Sequence, residues 1–274
     1  MNKALITYPY GMKILPYENN DKNFLCVLHS STDRINAQIN YFLLSVFNCE
    51  NGILVSELPV DRLHGYVLAY LSTSAASSSI YITQISSEKI KIQTTVYCQK
   101  KGLFESVKTV HEKSSWRSLL ASYPACVDVD TKGNFIFACY FDAIVFKFEE
   151  TTMSAVKKLD HKFHSINSLS INSRGHIFIT DCHTLYVFDK EYESLFIDYL
   201  FSTASLEKTC IDPWNDYIFV ASDAIYRYEP DAEKESRKDL NLKIKNITHM
   251  CVNRNNMYTL SIKTTQKINN VLLQ

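Results

Sequence analysis

Three segments in the second half of the chain share one pattern at a fixed interval. They read "ACVDVDTKGNFIFACYFDAIVFKFEE" from residue 125, "NSLSINSRGHIFITDCHTLYVFDKE" from 167 and "KTCIDPWNDYIFVASDAIYRYEPD" from 208. Each opens with a short alternating strand that ends on a polar residue: Asp130, Asn172 or Asp212. A turn leads to an apolar run at 135–137, 177–179 or 217–220, and a small polar hairpin leads to a third strand. The third strands end on Phe148-Glu149, Phe188-Asp189 and Tyr228-Glu229, with the aromatics 40 residues apart. A fourth unit begins at "HMCVNRNNMYTLSI", where Val252 falls 41 residues after Ile211, and "KINNVLLQ" supplies its third strand.

A unit of this size with several short strands cannot cover both of its faces alone, and neighbours stacked around an axis can. The repeat therefore predicts an all-β chain folded as a six-bladed β-propeller, a single domain over residues 1–274. The first half keeps the strand content without the regular repeat. "NFLCVLHSS", "INAQINYFLLSVFN" and "NGILVSEL" read as strands of one degenerate blade. "HGYVLAYLS" and "SSSIYITQIS" read as the next hairpin, with "KIKIQTTVY" as its outer strand. Third strands then end near 47, 83, 148, 188, 228 and the C-terminus. The long step from 83 to 148 predicts degenerate blades over 1–97, a short insertion near 98–120 and regular blades over 121–274. Seven blades are the alternative if the insertion hides a degenerate one. "NKALITYPY" is expected to close the ring as an outer strand of the last blade, removing an exposed sheet edge.

Residues 125 to about 262 resemble NHL-repeat propellers, whose unit has an apolar strand ending in Asp, a Gly-Asn turn and a closing Phe-Asp strand. "VDVDTKGNFIFACYFDAIVFKFE", "SINSRGHIFITDCHTLYVFD" and "CIDPWNDYIFVASDAIYRYE" carry the likeness. Only Gly133 and Gly175 keep the turn glycine. Asn215, Asp216, Asn255 and Asn256 are the residues able to take positive φ in the other units. The WD-type propeller is the near alternative, with Phe188-Asp189 in place of Trp-Asp.

The chain has 29 basic and 29 acidic residues, without the excess that marks a wholly basic nucleic-acid binder. Apolar runs such as "YFLLSVF" fall well short of the roughly 18 residues that a membrane-spanning helix needs. The N-terminal apolar stretch is interrupted at Pro9, so no secretory signal is expected and an intracellular location, cytoplasmic or nuclear, follows. Eight cysteines at 26, 49, 98, 126, 139, 182, 210 and 251 are spread with no two closer than 13 residues. That pattern matches neither a disulfide framework nor a CxxC metal site.

Asp181, Cys182 and His183 combine metal-ligating and nucleophilic residue types. They fall on the hairpin between the second and third strands of one unit, aligned with 139–141 and 222–223. Side chains alternate sides along an extended chain, so three neighbours do not converge on one ion, and the triplet reads as a loop tip. His161 and His164 in "HKFH" lack the further ligands that a tetrahedral zinc needs. No GxSxG, Walker, GxGxxG or HExxH motif occurs. Six-bladed calcium-dependent lactonases carry a motif that "NSLSINSRG" resembles, with Asn167 at the ligand position. Its equivalents are Ala125, Glu207 and Thr248, a set short of the convergent oxygens that calcium takes. No catalytic residue, cofactor or metal ligand is therefore assigned.

The stretch 98–120 is locally basic. Lys100, Lys101, Lys108, Lys113 and Arg117 stand against Glu105 and Glu112, with His111 and Trp116 among them. Trp and Arg dominate protein–protein hot spots, and basic residues among aromatics also suit a single-stranded nucleic acid. Lys100, Lys101, Lys108, His111, Lys113, Trp116 and Arg117 form the candidate interaction surface. The expected function is a non-enzymatic propeller scaffold that binds protein partners. The alternatives are an RNA-binding NHL-type propeller and a calcium-dependent lactonase-like hydrolase. Nothing points to DNA or to a membrane.

Overall fold

In a computed structural model of the chain, the described residues are 7–17, 22–32, 39–61, 63, 67–74, 78–86, 89–98, 100–113, 120, 122–149, 152–200, 208–221, 224–231, 233–240, 242, 247–253, 256–261 and 269–272. They form consecutive antiparallel sheets, each from one uninterrupted stretch of chain. The first holds β1 (Thr7–Tyr17), β2 (Lys22–Thr32), β3 (Ile39–Asn48) and β4 (Leu54–Asp61). The second holds β5 (Val67–Ser74), β6 (Ser79–Ser86), β7 (Lys89–Cys98) and β8 (Leu103–Lys113). β9 (Pro124–Val129), β10 (Phe135–Cys139), β11 (Ala143–Glu149) and β12 (Thr152–Lys158) make the third. β13 (Ser168–Ile171), β14 (Ile177–Thr180), β15 (Thr184–Phe188) and β16 (Ser194–Tyr199) make the fourth. The fifth contains β17 (Lys208–Ile211), β18 (Ile218–Ala221), β19 (Ile225–Tyr228) and the short β20 (Lys238–Asp239). The chain ends in a three-stranded sheet of β21 (Ile247–Asn253), β22 (Asn256–Ser261) and β23 (Asn269–Leu272).

The first strand of every sheet is innermost. β1 packs beside β5, β5 beside β9, β9 beside β13, β13 beside β17, β17 beside β21 and β21 beside β1. This closed ring of sheets is a β-propeller. Its middle strands are covered on both sides by neighbouring sheets, so β10 "FIFAC" and β14 "IFIT" are buried at every position. The outer strand β16 "SLFIDY" is mostly open to solvent.

Three expectations are corrected. Five complete four-stranded blades are present among the described residues, not six or seven, and the remaining sheet has three strands. Within the stretch 98–120, expected as an insertion, residues 103–113 are β8, the outer strand of the second blade, paired with β7 from Lys89↔Lys113 to Cys98↔Leu103, while 114–119 lie outside the described residues. "KIKIQTTVY" is thus a third strand rather than an outer one. Of the expected closing strand, residues 2–6 lie outside the described residues, and residues 7–10 belong to β1, which does not pair with the last sheet. β1 is innermost in the first blade, paired with β2, and the ring closes there by side-to-side packing with β21. Gly11 permits the close approach of β1 to β5, since a Cβ at this position would lie 2.7 Å from Leu71 Cβ.

The turns after the inner strands explain the polar residue at the end of each repeat. Asp130 Oδ1 accepts from the backbone N–H groups of Lys132 (2.9 Å) and Asn134 (2.8 Å). Asn172 Oδ1 accepts from Arg174 (3.1 Å) and His176 (2.8 Å), and Asp212 Oδ1 from Trp214 (3.0 Å). A side chain that binds its own backbone two residues on is the mechanism that favours Asp and Asn in turns. Gly133 and Gly175 take the required positive φ of 81° and 83°; in the fifth blade Asp216 supplies it at 56°. Neighbouring blades are then tied together by side chains. Tyr192 Oη donates to Asp130 (2.6 Å), Ser173 N donates to Asp216 (3.0 Å), and Tyr228 Oη donates to Asp198 (2.8 Å).

Candidate functional site

Antiparallel order gives the ring two faces. One carries the turns between first and second strands and between third and fourth strands. The other carries the hairpins between second and third strands and the links from sheet to sheet. Each face opens onto the axial channel through a cavity. The cavity at the first face has a volume of about 280 Å³ and is bordered by Lys13, Asp128, Asp130, Asn172, Cys210 and Asp216. The cavity at the second face has about 130 Å³ and is bordered by Tyr10, Tyr70, Cys126, Asn167, Lys208 and Thr209. Lys13 and Met250 border both, which places them near the middle of the channel.

The channel holds a charge pair across its axis. Lys13 Nζ on β1 donates to Asp128 Oδ2 on β9 at 2.8 Å, between inner strands that are not neighbours in the ring. Asp128 is buried, and its other oxygen accepts from the Val129 N–H at 3.1 Å. Lys208 Nζ donates to the Asn167 carbonyl at 2.7 Å. The wall is otherwise sewn together by hydroxyls. Ser168 Oγ and Thr209 Oγ1 lie 3.0 Å apart, Thr209 Oγ1 donates to Ser170 Oγ at 2.9 Å, and Ser72 Oγ donates to the Val127 carbonyl at 3.0 Å.

Channel thiols are held in the protonated state. Loss of hydration in the wall pushes Cys126 up to about 12, opposed by the nearby Lys208 and Lys13 ammonium groups. Burial likewise raises Cys210 and Cys251. A thiol is a nucleophile only as thiolate, so these three are inert near neutral pH.

Asp181, Cys182 and His183 do not assemble into a site. The Asp181 carboxylate is turned inward, accepting from the His164 N–H (2.9 Å) and from Tyr186 Oη (2.8 Å). Cys182 Sγ lies 2.9 Å from the His164 carbonyl, and His183 faces solvent. The His161 ring packs at a tilt against Tyr186 with ring centroids 4.4 Å apart, while His164 is exposed. No three His, Cys, Asp or Glu side chains among the described residues are placed to hold a metal ion. Of the set weighed for calcium, Asn167 and Ala125 border the channel, and the Asn167 backbone carbonyl accepts from Lys208 Nζ. Glu207 lies outside the described residues.

The basic stretch is divided by the fold. Lys100 and Lys101 are exposed in the turn between β7 and β8, and Lys101 is paired with Glu105 at 2.6 Å. Lys108, His111 and Lys113 occupy positions on β8, while Trp116 and Arg117 lie outside the described residues. The sequence reading passed over a different feature. Tyr140 and Phe141, at the tip of the β10–β11 hairpin, are 52% and 63% exposed with ring centroids 6.0 Å apart. They lie on the second face, as does Tyr199 at the end of β16, 61% exposed. The signal was present as two adjacent aromatics where the aligned repeats carry small or polar residues.

No protein-family model matches the chain, and no curated protein sequence matches it. Solved structures do match in shape. Virginiamycin B lyase from Staphylococcus aureus aligns over 98% of this chain and 85% of its own, with TM-score 0.52 and 14% identity. A chain of the mitotic checkpoint complex aligns over 98% and 92%, with TM-score 0.58 and 6% identity. The β-propeller domain of Cps50 (Swd1) from Myceliophteria thermophila aligns over 99% and 100%, with TM-score 0.54 and 9% identity. These likenesses show the β-propeller fold.

Proposed function

We propose that this chain is a non-catalytic β-propeller that binds a protein partner on the face bearing the β10–β11 hairpin. The observation that carries the reading is the exposed pair Tyr140–Phe141 at the tip of that hairpin. Two adjacent aromatic rings left in water at a hairpin tip gain nothing for the isolated fold. Tyr and Phe are enriched at protein interfaces, where large rings bury much area at small entropic cost. Protonated thiols and an inward-turned Asp181 support the absence of catalysis. One of the propellers of similar shape belongs to a complex, in keeping with a binding role.

Cross-linking in native cells tests this. The expected result is stoichiometric protein partners on the wild-type chain that are lost from a Tyr140→Ser, Phe141→Ser variant whose Tm is unchanged. Equal recovery from both chains would overturn the assignment of the face. A parallel variant, Lys100→Glu with Lys101→Glu, examines the turn singled out by its basic sequence. Loss of partners there alone would move the interface to the β7–β8 edge.

A further inference from the structure

We propose that the cavity at the first face binds a small zwitterion, of the chemistry of an apolar α-amino acid, with its charged end set against the Lys13–Asp128 pair. The site lies on the face opposite the β10–β11 hairpin, so the inference goes beyond the protein-binding reading and is independent of it.

The cavity, of about 280 Å³, lies close to the lower bound of about 300 Å³ for small-molecule sites. Ile14, Ile171, Ile211 and Met250, from the inner strands β1, β13, β17 and β21, supply an aliphatic wall. The Lys13–Asp128 pair borders the same space. An ammonium has three donors, and among the described residues Lys13 Nζ spends one, on Asp128 Oδ2 at 2.8 Å. A carboxylate has about four lone-pair sites, and described donors fill two on Asp128, from Lys13 and from the Val129 N–H. The Lys13 side chain keeps 26% of its exposure although the pair crosses the axis. The other carboxylates of the border are more fully engaged. Asp130 accepts from the Lys132 and Asn134 N–H groups, from Asn134 Nδ2 and from Tyr192 Oη. Asp216 meets Ser173 through both of its oxygens.

The class of ligand follows from the shortness of the pair. With its two charges 2.8 Å apart, a lone anion drawn to Lys13 is repelled by Asp128 almost as strongly, and a lone cation meets the reverse conflict. A ligand that carries both charges on neighbouring groups lies antiparallel to the pair. Its carboxylate takes the spare Lys13 donors, and its ammonium takes the spare lone pairs of Asp128. The four charges then alternate, and the Lys13–Asp128 bond is kept. In an α-amino acid the ammonium and the carboxylate share one carbon, which suits so short a span. The aliphatic wall takes the side chain out of water.

The test uses the full chain with 13C-labelled methionine methyl groups, because Met250 is buried and borders the cavity. The probes are leucine, valine and phenylalanine as free amino acids. Leucinamide, 4-methylpentanoate and glycerol are the counterparts that carry only the cation, only the anion or neither. The expected result is a saturable shift of the Met250 methyl with at least one amino acid, and binding about tenfold weaker or less for leucinamide and 4-methylpentanoate. Lys13→Met paired with Asp128→Asn leaves no charge stranded and should weaken the amino acid about tenfold. Lys101→Met, in the β7–β8 turn, should leave it unchanged. If the paired variant fails to fold, the counterparts on the wild-type chain decide alone. No Met250 shift with any of the amino acids at millimolar concentration would overturn the proposal, as would equal affinity in the paired variant. Leucinamide or 4-methylpentanoate binding as tightly as leucine would assign the cavity to a single charge, and a response to glycerol alone would assign it to neutral ligands. Either result sinks the zwitterion. Partner capture through Tyr140 and Phe141 is read separately, so the failure of one reading leaves the other in place.

Discussion

The Tyr192 hydroxyl, in the turn after β15, donates at 2.6 Å to Asp130 Oδ2, at the end of the inner strand of the preceding blade. The same carboxylate organises its own turn through Oδ1 and accepts from Asn134 Nδ2 at 3.1 Å. One aspartate therefore shapes a turn and fastens the next blade, and Tyr192 adopts a positive φ of 70° where it meets it. A hydrogen bond to a charged group is worth about 1.5–3 kcal/mol. Tyr192→Phe should lose an amount in that range in urea unfolding. Asp130→Asn should lose a similar amount, and the double variant should lose less than the sum because the two share one interaction.

Two turn glycines with nearly the same backbone should respond differently to alanine. At Gly133 a Cβ meets nothing within 4 Å, whereas at Gly175 it would lie 2.8 Å from Lys190 Cβ and 3.1 Å from Thr131 Oγ1. The left-handed conformation alone costs about 1–2 kcal/mol. Gly133→Ala should lose about that much. Gly175→Ala should lose clearly more, with the midpoint of denaturation as the measure.

The axial ion pair should show the asymmetry of buried charge. Lys13→Met strands a buried carboxylate, and breaking such a pair costs about 3–5 kcal/mol when both partners are buried. The Lys13 side chain keeps 26% of its exposure, so a loss near the low end, about 3 kcal/mol, is expected. Lys13→Met combined with Asp128→Asn should recover most of it, as read from Tm.

Stability should fall on mild acidification. His29 is buried, with Nε2 2.9 Å from Ser45 Oγ. Burial lowers its pKa below 6.5, against smaller upward pulls from the Ser30 carbonyl and Glu57. His176 is lowered too, by burial first and then by Arg174. The unfolded imidazoles take up protons near pH 6.5, while the folded ones resist until lower pH. The unfolded state thus binds more protons in that window, and stability drops as pH falls below 6.5. Tm measured from pH 7.5 to 5 should decline, and His29→Gln should flatten the slope.

The channel thiols should be silent. With its pKa pushed up to about 12, Cys126 carries almost no thiolate at pH 8. Mass spectrometry after iodoacetamide should find Cys126, Cys210 and Cys251 unmodified in the folded chain and alkylated once it is denatured.

The regular blades were legible in the sequence because Asp130, Asn172 and Asp212 each cap an inner strand, and the polar–apolar switch of a turn is a local signal. The first two blades lack that mark. Their strands run 8 to 11 residues, and the turn before β8 uses Gly102 within "KKGL", which reads as a charged loop. β8 itself is an outer strand with Val107 and Thr109 in solvent, so its composition resembles an insertion. Placing β1 innermost required knowing that β1 meets β5 and β21, a relation between distant segments. Alignment of the repeats set Ala125 and Asn167 at equivalent positions, and both border the channel. The Lys13–Asp128 pair was not legible, because an isolated lysine in a strand looks like surface until the ring is closed around it.

Among the described residues no strand is shared between the first and last sheets, and this bears on how the ring closes. In a ring sealed by strand exchange, the first blade waits for the final residues before its edge is filled. Here each sheet is encoded without interruption, so a ribosome releases complete blades in the order they stand around the axis. The Lys13–Asp128 bridge becomes available as soon as the third sheet has emerged. Closure between the described first and last sheets is then a lateral fit, in which Cys251 meets Met12 and Ile14 on a strand that is already folded.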